Sequence, residues 1–121
     1  MKYLPFFLLF ILGCGHKRSG PKIFIPLKII NVGTIQMNAH HKGSFVIKNT
    51  GDEDLKIKGI TSDCECTVVK NYDSTIAPNQ SEKIDFVFTP HVSGYDQQNI
   101  FIKNDSPEEN VLVMLRAKVE L

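Results

Sequence analysis

Residues 43–60 have the sequence Gly-Ser-Phe-Val-Ile-Lys-Asn-Thr-Gly-Asp-Glu-Asp-Leu-Lys-Ile-Lys-Gly-Ile, in which two strand patterns flank a turn pattern. Phe45-Val46-Ile47 is an aromatic and β-branched run, and Leu55 and Ile57 alternate with lysines at the two-residue period of a half-buried strand. Asn49-Thr50-Gly51-Asp52 predicts the turn between them, because Asn and Gly tolerate positive φ. The stretch therefore predicts β-structure rather than helix.

The two-residue period recurs outside this stretch, and no segment shows a convincing helical period. We expect Ile23 to Ile35 to form an edge strand that is bent at Pro26 and Gly33. Further strands are expected within residues 60–69, 84–88, 98–103 and 111–119. About seven short strands in about 100 residues predict an all-β, immunoglobulin-like β-sandwich. The absence of tryptophan and of a distant cysteine pair excludes an antibody-type core but not this architecture.

The first 14 residues, MKYLPFFLLFILGC, have the pattern of an export signal. Lys2 precedes an apolar run from Tyr3 to Leu12, which is far shorter than the roughly 20 residues of a membrane span. Gly13-Cys14 after this run resembles the lipobox of bacterial lipoproteins, in which the cysteine thiol receives a diacylglycerol and the peptide is cut just before it. An ordinary secretory signal and an uncleaved anchor are the alternatives, but no alanine precedes Ala39 to form the usual A-x-A site.

These patterns divide the chain into a signal peptide (1–13), a lipidated tether (14–22) and a sandwich domain (23–121). At about 3.3–3.6 Å per residue, the tether holds the domain within roughly 30 Å of the membrane. The expected location is the bacterial cell envelope, with the domain lipid-anchored and facing the periplasm. The full chain has 14 basic and 13 acidic residues, so loss of Lys2 leaves 13 of each, and a neutral chain without a basic stripe is not expected to bind nucleic acid.

Cys64 and Cys66 are the only cysteines left once Cys14 is assigned to the lipid. In an extended chain their side chains share one face, where they can form a redox-active disulfide, clamp a soft metal such as Cu(I) or zinc, or pack as two thiols. A closed zinc site needs about four ligands, and no spacing identifies the others. Further candidate ligands are His91 and, at greater distance, Met37 and Met114. A disulfide here closes almost no chain, so core packing has to hold the fold.

The remaining polar residues indicate no reaction. His40 and His41 are expected in an exposed turn, facing opposite ways, which disfavours a shared metal ion. Asp52-Glu53-Asp54 and Glu108-Glu109 are expected to be solvated loops, the first binding Ca²⁺ weakly at most. The Gly-x-Ser-x-Gly pattern is absent. Outside the candidate redox or metal pair Cys64 and Cys66, the sequence therefore predicts no metal site, and it predicts no catalytic residue and no cofactor.

The chain resembles the bacterial family DUF1573 over residues 24–120. The resemblance rests on the phenylalanine strand, the Asn-x-Gly turn, the L-x-I strand and a signature close to S-C-G-C-T, followed by Ile76-Ala-Pro-Asn-Gln80 in place of an I-x-P-G turn. It implies a sandwich similar to major sperm protein, PapD-like and Hydin-type domains, in proteins of Bacteroidetes-like bacteria that often carry lipoprotein signals and have no defined role. Asp63 and Glu65 replace the usual Ser and Gly, and carboxylates beside the sulfurs disfavour thiolate. Asn79 replaces the usual Gly of the later turn.

Three functional hypotheses follow. The first is a non-enzymatic, membrane-tethered interaction or structural module whose exposed edge, expected in Ile23–Ile35, accepts a strand from an envelope protein. The alternative is a thiol redox or soft-metal-handling lipoprotein that uses Cys64 and Cys66. An enzyme acting on envelope polymers is the third, and it requires a cleft with paired acids that the sequence does not identify.

Overall fold

The computed structural model describes residues 18–121, and the regular elements in that range are all β-strands. They are β1 (Ile23–Phe24), β2 (Ile29–Gln36), β3 (His41–Asn49), β4 (Leu55–Ser62), β5 (Thr67–Val69), β6 (Thr75–Ile76), β7 (Ser81–Phe88), β8 (Gly94–Asn104) and β9 (Asn110–Glu120). β1 and β6 have only two residues each, which leaves seven longer strands, as predicted. Residues 18–121 contain no helix that is long and apolar enough to cross a membrane. The predicted signal peptide and Cys14 lie outside the described residues.

In the described part of the chain the strands form a four-stranded sheet, β1-β3-β7-β5, and a five-stranded sheet, β2-β9-β8-β4-β6. Neighbouring strands are antiparallel, except that β2 and β9 are parallel. β3 and β4 follow each other in the chain but belong to different sheets, so the turn between them carries the chain across the sandwich. The predicted all-β, immunoglobulin-like sandwich is confirmed.

Alternate side chains of both sheets point inward and form one buried apolar cluster. Its fully buried members include Ile47, Leu55, Ile84, Phe86, Phe88, Ile100, Ile102, Val113 and Leu115. Burial of each such side chain contributes about 1.5–3 kcal/mol, so the two-residue period of apolar residues accounts for most of the driving force. Gly43 lies on the inner face of β3, because a Cβ atom there would be 2.5 Å from the Phe86 ring.

The predicted edge strand from Ile23 to Ile35 is instead two strands in opposite sheets. Pro26 lies in the crossover between β1 and β2, where its missing N–H removes no ladder bond. Gly33 does mark a bend, because the register of β2 against β9 shifts between Asn31 and Gly33, and Gly33 has a φ of 87°. Both strands lie at sheet edges, so the edge position of the segment is as predicted.

The turn after β3 occurs where it is predicted, but its physical cause differs. Asn49 and Gly51 are not among the residues with positive φ. The buried Asn49 side chain holds the turn: its Nδ2 donates to the carbonyls of Glu53 at 2.7 Å and Ile76 at 2.9 Å, and its Oδ1 accepts from Gly51 N at 2.9 Å. Glycine is required at position 51 because a Cβ atom there would overlap the Gly20 carbonyl.

Candidate functional site

The connection from β4 to β5 crosses between the sheets through a tight turn at residues 63–66, here called the cysteine turn. Cys64 and Cys66 form a disulfide within it, with Cα atoms 5.1 Å apart. Cys66 is buried, and Cys64 is partly buried against the core. Of the three arrangements that the sequence allows for this pair, the structure therefore contains the disulfide.

Polar contacts hold the cysteine turn from both sides. The Asp63 carboxylate accepts hydrogen bonds from Asn99 N at 3.0 Å and Asn99 Nδ2 at 2.9 Å, which ties the turn to β8. Ser62 Oγ lies within hydrogen-bond distance of the carbonyls of Cys64 and Thr67, and Thr67 N donates to the Cys64 carbonyl at 3.2 Å. Asp63, which departs from the DUF1573 pattern, thus has a structural role in this chain.

A shallow groove borders the disulfide on the outer face of the four-stranded sheet. Lys42, Val87 and Val68 lie side by side across β3, β7 and β5 and form part of its lining. The other lining residues are His40, Glu65, Cys66, Lys70, Thr89 and His91. The groove therefore combines apolar surface with two ammonium groups and two imidazoles, opposed by one carboxylate.

The structure brings only part of the predicted metal-ligand set to this groove. His91 lines it together with Cys66, and so does His40. Met114 lies on β9 in the other sheet, and Met37 packs against the core. Within residues 18–121, no three His, Cys, Asp or Glu side chains are grouped so that they could hold a metal ion.

β2 is the outermost strand of the five-stranded sheet and pairs on one side only, with β9. Met114 N donates to the Lys28 carbonyl at 2.7 Å, and Met37 N donates to the Glu120 carbonyl at 2.8 Å. These bonds fix which backbone groups of β2 face β9, because the groups of successive residues point to alternate sides of a strand. The residues whose backbone groups point away from β9 are accordingly Ile29, Asn31, Thr34 and Gln36.

The far end of this edge is covered, and the rest is open. His41 Nε2 donates to the Gln36 carbonyl at 3.1 Å, while His40 turns to the groove beside the disulfide, so the two rings face opposite ways as predicted. The backbone groups of Ile29, Asn31 and Thr34 that point away from β9 have no hydrogen-bond partner within residues 18–121. We call these three residues the open edge.

Within residues 18–121, the other outermost strands are shorter than β2 or bonded on their outward side. β1 and β6 have two residues each, so they cover only the last two residues of β3 and the first two residues of β4. On either side of β5, the Cys66 carbonyl accepts from Thr89 N and Lys70 N donates to the Asp85 carbonyl of β7. Alternation therefore turns Thr67 and Val69 away from β7. The backbone groups of Thr67 are already bonded inside the cysteine turn, so in the described part of the chain Val69 is the one residue of β5 whose outward groups are unpaired.

The Asp52 carboxylate fixes the N-terminal end of the described chain to the domain. It accepts hydrogen bonds from Ser19 N and Gly20 N, both at 2.8 Å. These bonds, the Ser19 bond foremost, hold the pKa of the Asp52 carboxyl below its ordinary 3.8, although desolvation opposes them. The expected solvated loop at Asp52 is therefore an attachment point for Ser19 and Gly20, near the end of the predicted tether (14–22).

The attachment point and the cysteine turn lie at opposite ends of the sandwich. β3 begins at His41, which pairs with Phe88, and Phe88 also pairs with Thr67 beside the cysteine turn. β3 ends at Asn49, which pairs with Ile23 near the attachment point. At about 3.3 Å per residue, its nine residues separate the two ends by roughly 30 Å. The disulfide and its groove are consequently held at the end away from the N-terminal attachment.

The sequence does not predict functional roles for Asn31 and Thr34. Gly33 is the one local signal, because a glycine inside a strand pattern is typical of a bulge or of a close approach by another chain. The pairing of β2 with β9, which lies at the other end of the sequence, leaves no local pattern. Whether the edge is open therefore follows only from the structure.

Two sheets with this connectivity define an immunoglobulin-like sandwich of the kind seen in PapD-like and major sperm protein domains. Similar structures include a protein of unknown function from Porphyromonas gingivalis W83, with a TM-score of 0.73, 14% identity and coverage of 84% of this chain and 48% of that one. The PapD-like domain 7 of human CEP192 has a TM-score of 0.68 at 14% identity, with 82% and 85% of the two chains covered. WR4, a C. elegans member of the MSP family, has a TM-score of 0.53 at 14% identity, with 81% and 97% covered.

The sequence model of DUF1573, a family of proteins of unknown function, matches residues 25–119, and the chain belongs to that family. The structural similarities show the fold alone, because their identities are low. The chain spans about half the length of the Porphyromonas gingivalis protein. No curated protein sequence matches this chain.

Proposed function

We propose that this chain is a non-enzymatic, membrane-tethered module of the cell envelope that binds another protein by accepting one of its strands at the open edge. The observation that carries the proposal is that β2, an eight-residue outermost strand, has three exposed residues with unpaired outward backbone groups, whereas the outward groups of Thr67 on β5 are bonded within the cysteine turn. A family of unknown function and neighbours with immunoglobulin-like folds support a binding module rather than an enzyme.

Strand addition gives affinity through the backbone of both chains. Each new N–H···O=C bond contributes about 0.5–1.5 kcal/mol net, and the side chains of the added strand supply selectivity. Ile29, Asn31 and Thr34 are all exposed, so a partner strand can approach them without rearrangement of the domain. The bulge at Gly33 bends the edge, which limits the strands that fit it.

Site-specific photocrosslinking tests the proposal. A benzophenone side chain is introduced at Asn31 on β2 or, as the matched control, at Val68 on β5, which is also exposed at an outer strand. Irradiation of intact envelopes is expected to give a discrete adduct from position 31 and none of that mass from position 68. Identical adduct patterns from both positions, or no adduct from position 31, would contradict strand addition at β2.

The membrane attachment is proposed to be a lipid on Cys14. Two or three acyl chains, at about 0.8 kcal/mol per CH₂, would make the attachment effectively permanent. Because Ser19 is bonded to Asp52, only the chain between Cys14 and Ser19 would be free, with a reach of at most about 18 Å. Labelled palmitate is expected to enter the wild-type protein and not the Cys14→Ser variant, and equal labelling of both would contradict this part of the proposal.

A second candidate function, thiol redox chemistry, is favoured by one specific observation: Cys66 lines a groove that also contains Lys42 and Lys70. Nearby cations stabilise thiolate, although Glu65 opposes them. In the reaction, an envelope protein with two thiols would give two electrons and two protons to the Cys64–Cys66 disulfide and become a disulfide itself. A soft-metal role would require the same reduced pair.

Mass spectrometry of the native protein tests this alternative. Redox function predicts that a fraction of the molecules isolated under alkylating conditions carries two alkyl groups on Cys64 and Cys66, and that mild dithiol treatment increases that fraction. A pair that is always oxidised and resists mild reduction would exclude the redox function and the metal function together.

A further inference from the structure

A second groove lies directly beside the open edge, on the outer face of the five-stranded sheet. It has a volume of about 460 Å³, and its lining includes Gly33, Thr34, Tyr95, Arg116 and Lys118. Gly33 has no side chain, and no atom lies within 4 Å of the position that its Cβ atom would occupy, so the surface above β2 is open there. A side chain from a strand added to β2 can therefore pass over β2 and reach β9.

The part of β9 that such a side chain reaches is basic. Arg116 and Lys118 are exposed, on the same face of β9, and stand opposite Asn31 and Thr34 of β2. The only ion pair within residues 18–121 joins Lys83 to Asp85, so both cations are unpaired there. Of the carboxylates nearby, Asp96 in the groove already accepts from Gln98 Nε2, and Glu120 occupies the next exposed position of β9 without pairing with Lys118.

The opposite end of the open edge is apolar. Ile29 stands opposite Met114 on the same outer face, and Leu112 and Phe101 form the next cross-strand pair. Ile29 is 43% exposed, Phe101 41% and Leu112 37%. These four side chains form a continuous apolar strip that ends at β2, whereas the strip beside Asn31 and Thr34 is polar and basic.

The geometry points to a partner segment in which an apolar residue and two acidic residues share one face; this inference rests on the proposed function. A residue opposite Ile29 would contact the apolar strip, and the residues opposite Asn31 and Thr34 would place carboxylates toward Arg116 and Lys118. Counted along β9 the positions are 114, 116 and 118, so the partner residues are two apart. Antiparallel pairing is the more stable mode, and it orders the partner as acidic-x-acidic-x-apolar from its N-terminal end.

The distances suit this pairing. Strands in a sheet are about 4.8 Å apart, so the partner backbone lies about 10 Å from that of β9, with β2 between them. A glutamate and an arginine or lysine are together long enough to meet across that gap, provided that the intervening side chains are short. The intervening side chains are Asn31 before Arg116 and Thr34 before Lys118, and both are short.

Three synthetic peptides with identical flanks test the inference against the full chain purified in detergent. The first contains Glu-Thr-Glu-Thr-Val, the second Lys-Thr-Lys-Thr-Val, and the third Thr-Glu-Thr-Glu-Val, which moves the acids to the opposite face. Fluorescence anisotropy is expected to show binding of the first peptide about tenfold tighter than of the other two. In the double variant Arg116→Glu/Lys118→Glu the preference should reverse toward the lysine peptide, and in the control Lys103→Glu, on the same face of β8, it should not change.

The remaining outcomes separate this inference from the proposed function. If the first two peptides bind equally and Thr34→Pro abolishes both, strand addition stands and the acidic partner is excluded. If no peptide binds, or if binding of the first peptide survives Thr34→Pro, both proposals are overturned at this edge. Sedimentation that shows a dimer abolished by Thr34→Pro would identify the occupant as a second copy of the chain and would also overturn the inference. Circular dichroism of each variant checks that it is folded.

Discussion

The outermost strands β5 and β2 differ in whether their outward backbone groups form hydrogen bonds within the chain. The backbone of β5 that faces away from the sheet is bonded largely within the cysteine turn, through Ser62 and the Cys64 carbonyl. β2 has eight residues and a bulge, and among residues 18–121 only His41 covers one of its outward carbonyls. Edge strands are ordinarily protected because they template pairing with other chains. The difference indicates that the β5 edge is closed for stability and that β2 is left available for binding.

The same contrast separates the polar groups of the two regions. At the ends of β3 and β8, the buried side chains of Asn49 and Asn104 bond backbone carbonyls and amides of neighbouring loops. Along β2, the polar side chains of Asn31 and Thr34 are exposed and make no hydrogen bond within the described chain. Substitutions of these buried residues or in the cysteine turn should therefore change the free energy of unfolding, whereas substitutions along β2 should change binding.

Asn49→Ala is expected to have the largest effect. It removes two donated bonds and the acceptor of Gly51 N, and the Ile76 carbonyl and Gly51 N that lose their partner are buried. We expect the free energy of unfolding to fall by about 3–5 kcal/mol, measured by denaturant titration. The matched control Asn31→Ala, at the exposed edge, should change it by no more than about 0.5 kcal/mol. Equal effects of the two variants would contradict the distinction between the buried Asn49 side chain and the exposed Asn31 side chain of β2.

The Cys64→Ser/Cys66→Ser variant is expected to be next in size. The disulfide closes a very short loop, for which chain-entropy estimates give about 2 kcal/mol. The loss should appear as faster hydrogen exchange of the Thr67 and Lys70 amides, which are hydrogen-bonded in the wild-type protein, with no change in β2. A reductant should destabilise the wild-type protein by a similar amount and leave the variant unchanged. If the reductant destabilised both proteins equally, the effect would not come from this disulfide.

Ser62→Ala should have a smaller effect on the same region. The hydroxyl lies within hydrogen-bond distance of the carbonyls of Cys64 and Thr67, and its loss is expected to lower the free energy of unfolding by about 1 kcal/mol. Thr61→Ala is the control, because Thr61 is the exposed neighbour of Ser62 on β4. A result in which the Thr61 variant is the less stable of the two would argue against closure of the β5 edge by Ser62.

The smallest effect is expected at Asp52. Its carboxyl pKa is lowered by the bonds from Ser19 N and Gly20 N, so the attachment is intact above the ordinary pKa of 3.8 and is lost as the pH falls through the lower folded-state pKa. The amide resonances of Ser19 and Gly20 should therefore shift with acid below pH 3.8 in the wild-type protein. In Asp52→Asn these shifts should be absent, and amide shifts that persist in the variant would assign them to another group.

The sequence predicts the elements of this fold better than their causes. The alternation in 111–119 and 84–88 identifies β9 and β7, because a period of two has one structural meaning. The turn after β3 is predicted from the conformational freedom of Asn and Gly, but the Asn49 side chain and the close approach of Gly20 produce it. At Asn79 the freedom argument does apply, since this residue takes the place of the family's glycine with a φ of 64°.

Long-range arrangements are the part that the sequence could not provide. The split of Ile23–Ile35 between two sheets depends on partners far along the chain, Asn49 for β1 and Met114 for β2. The sequence predicts that Cys64 and Cys66 can form a disulfide. The groove beside them is formed by residues from separate strands and loops, such as Lys42 and His91, which the sequence does not bring together. Pairing between distant strands positions the open edge of β2 and the groove beside the disulfide, and no local sequence pattern predicts that pairing.

The central claim, that β2 is open for strand addition and β5 is closed, is tested most directly by two proline substitutions. Thr34→Pro and Val69→Pro each remove one outward N–H without touching the bonds to β9 or β7. The quantity measured is the yield of the adduct from a benzophenone side chain at position 31 in intact envelopes. We expect Thr34→Pro to abolish the adduct and Val69→Pro to leave its yield unchanged. An adduct that survives Thr34→Pro, or that is lost equally in both variants, would contradict the account.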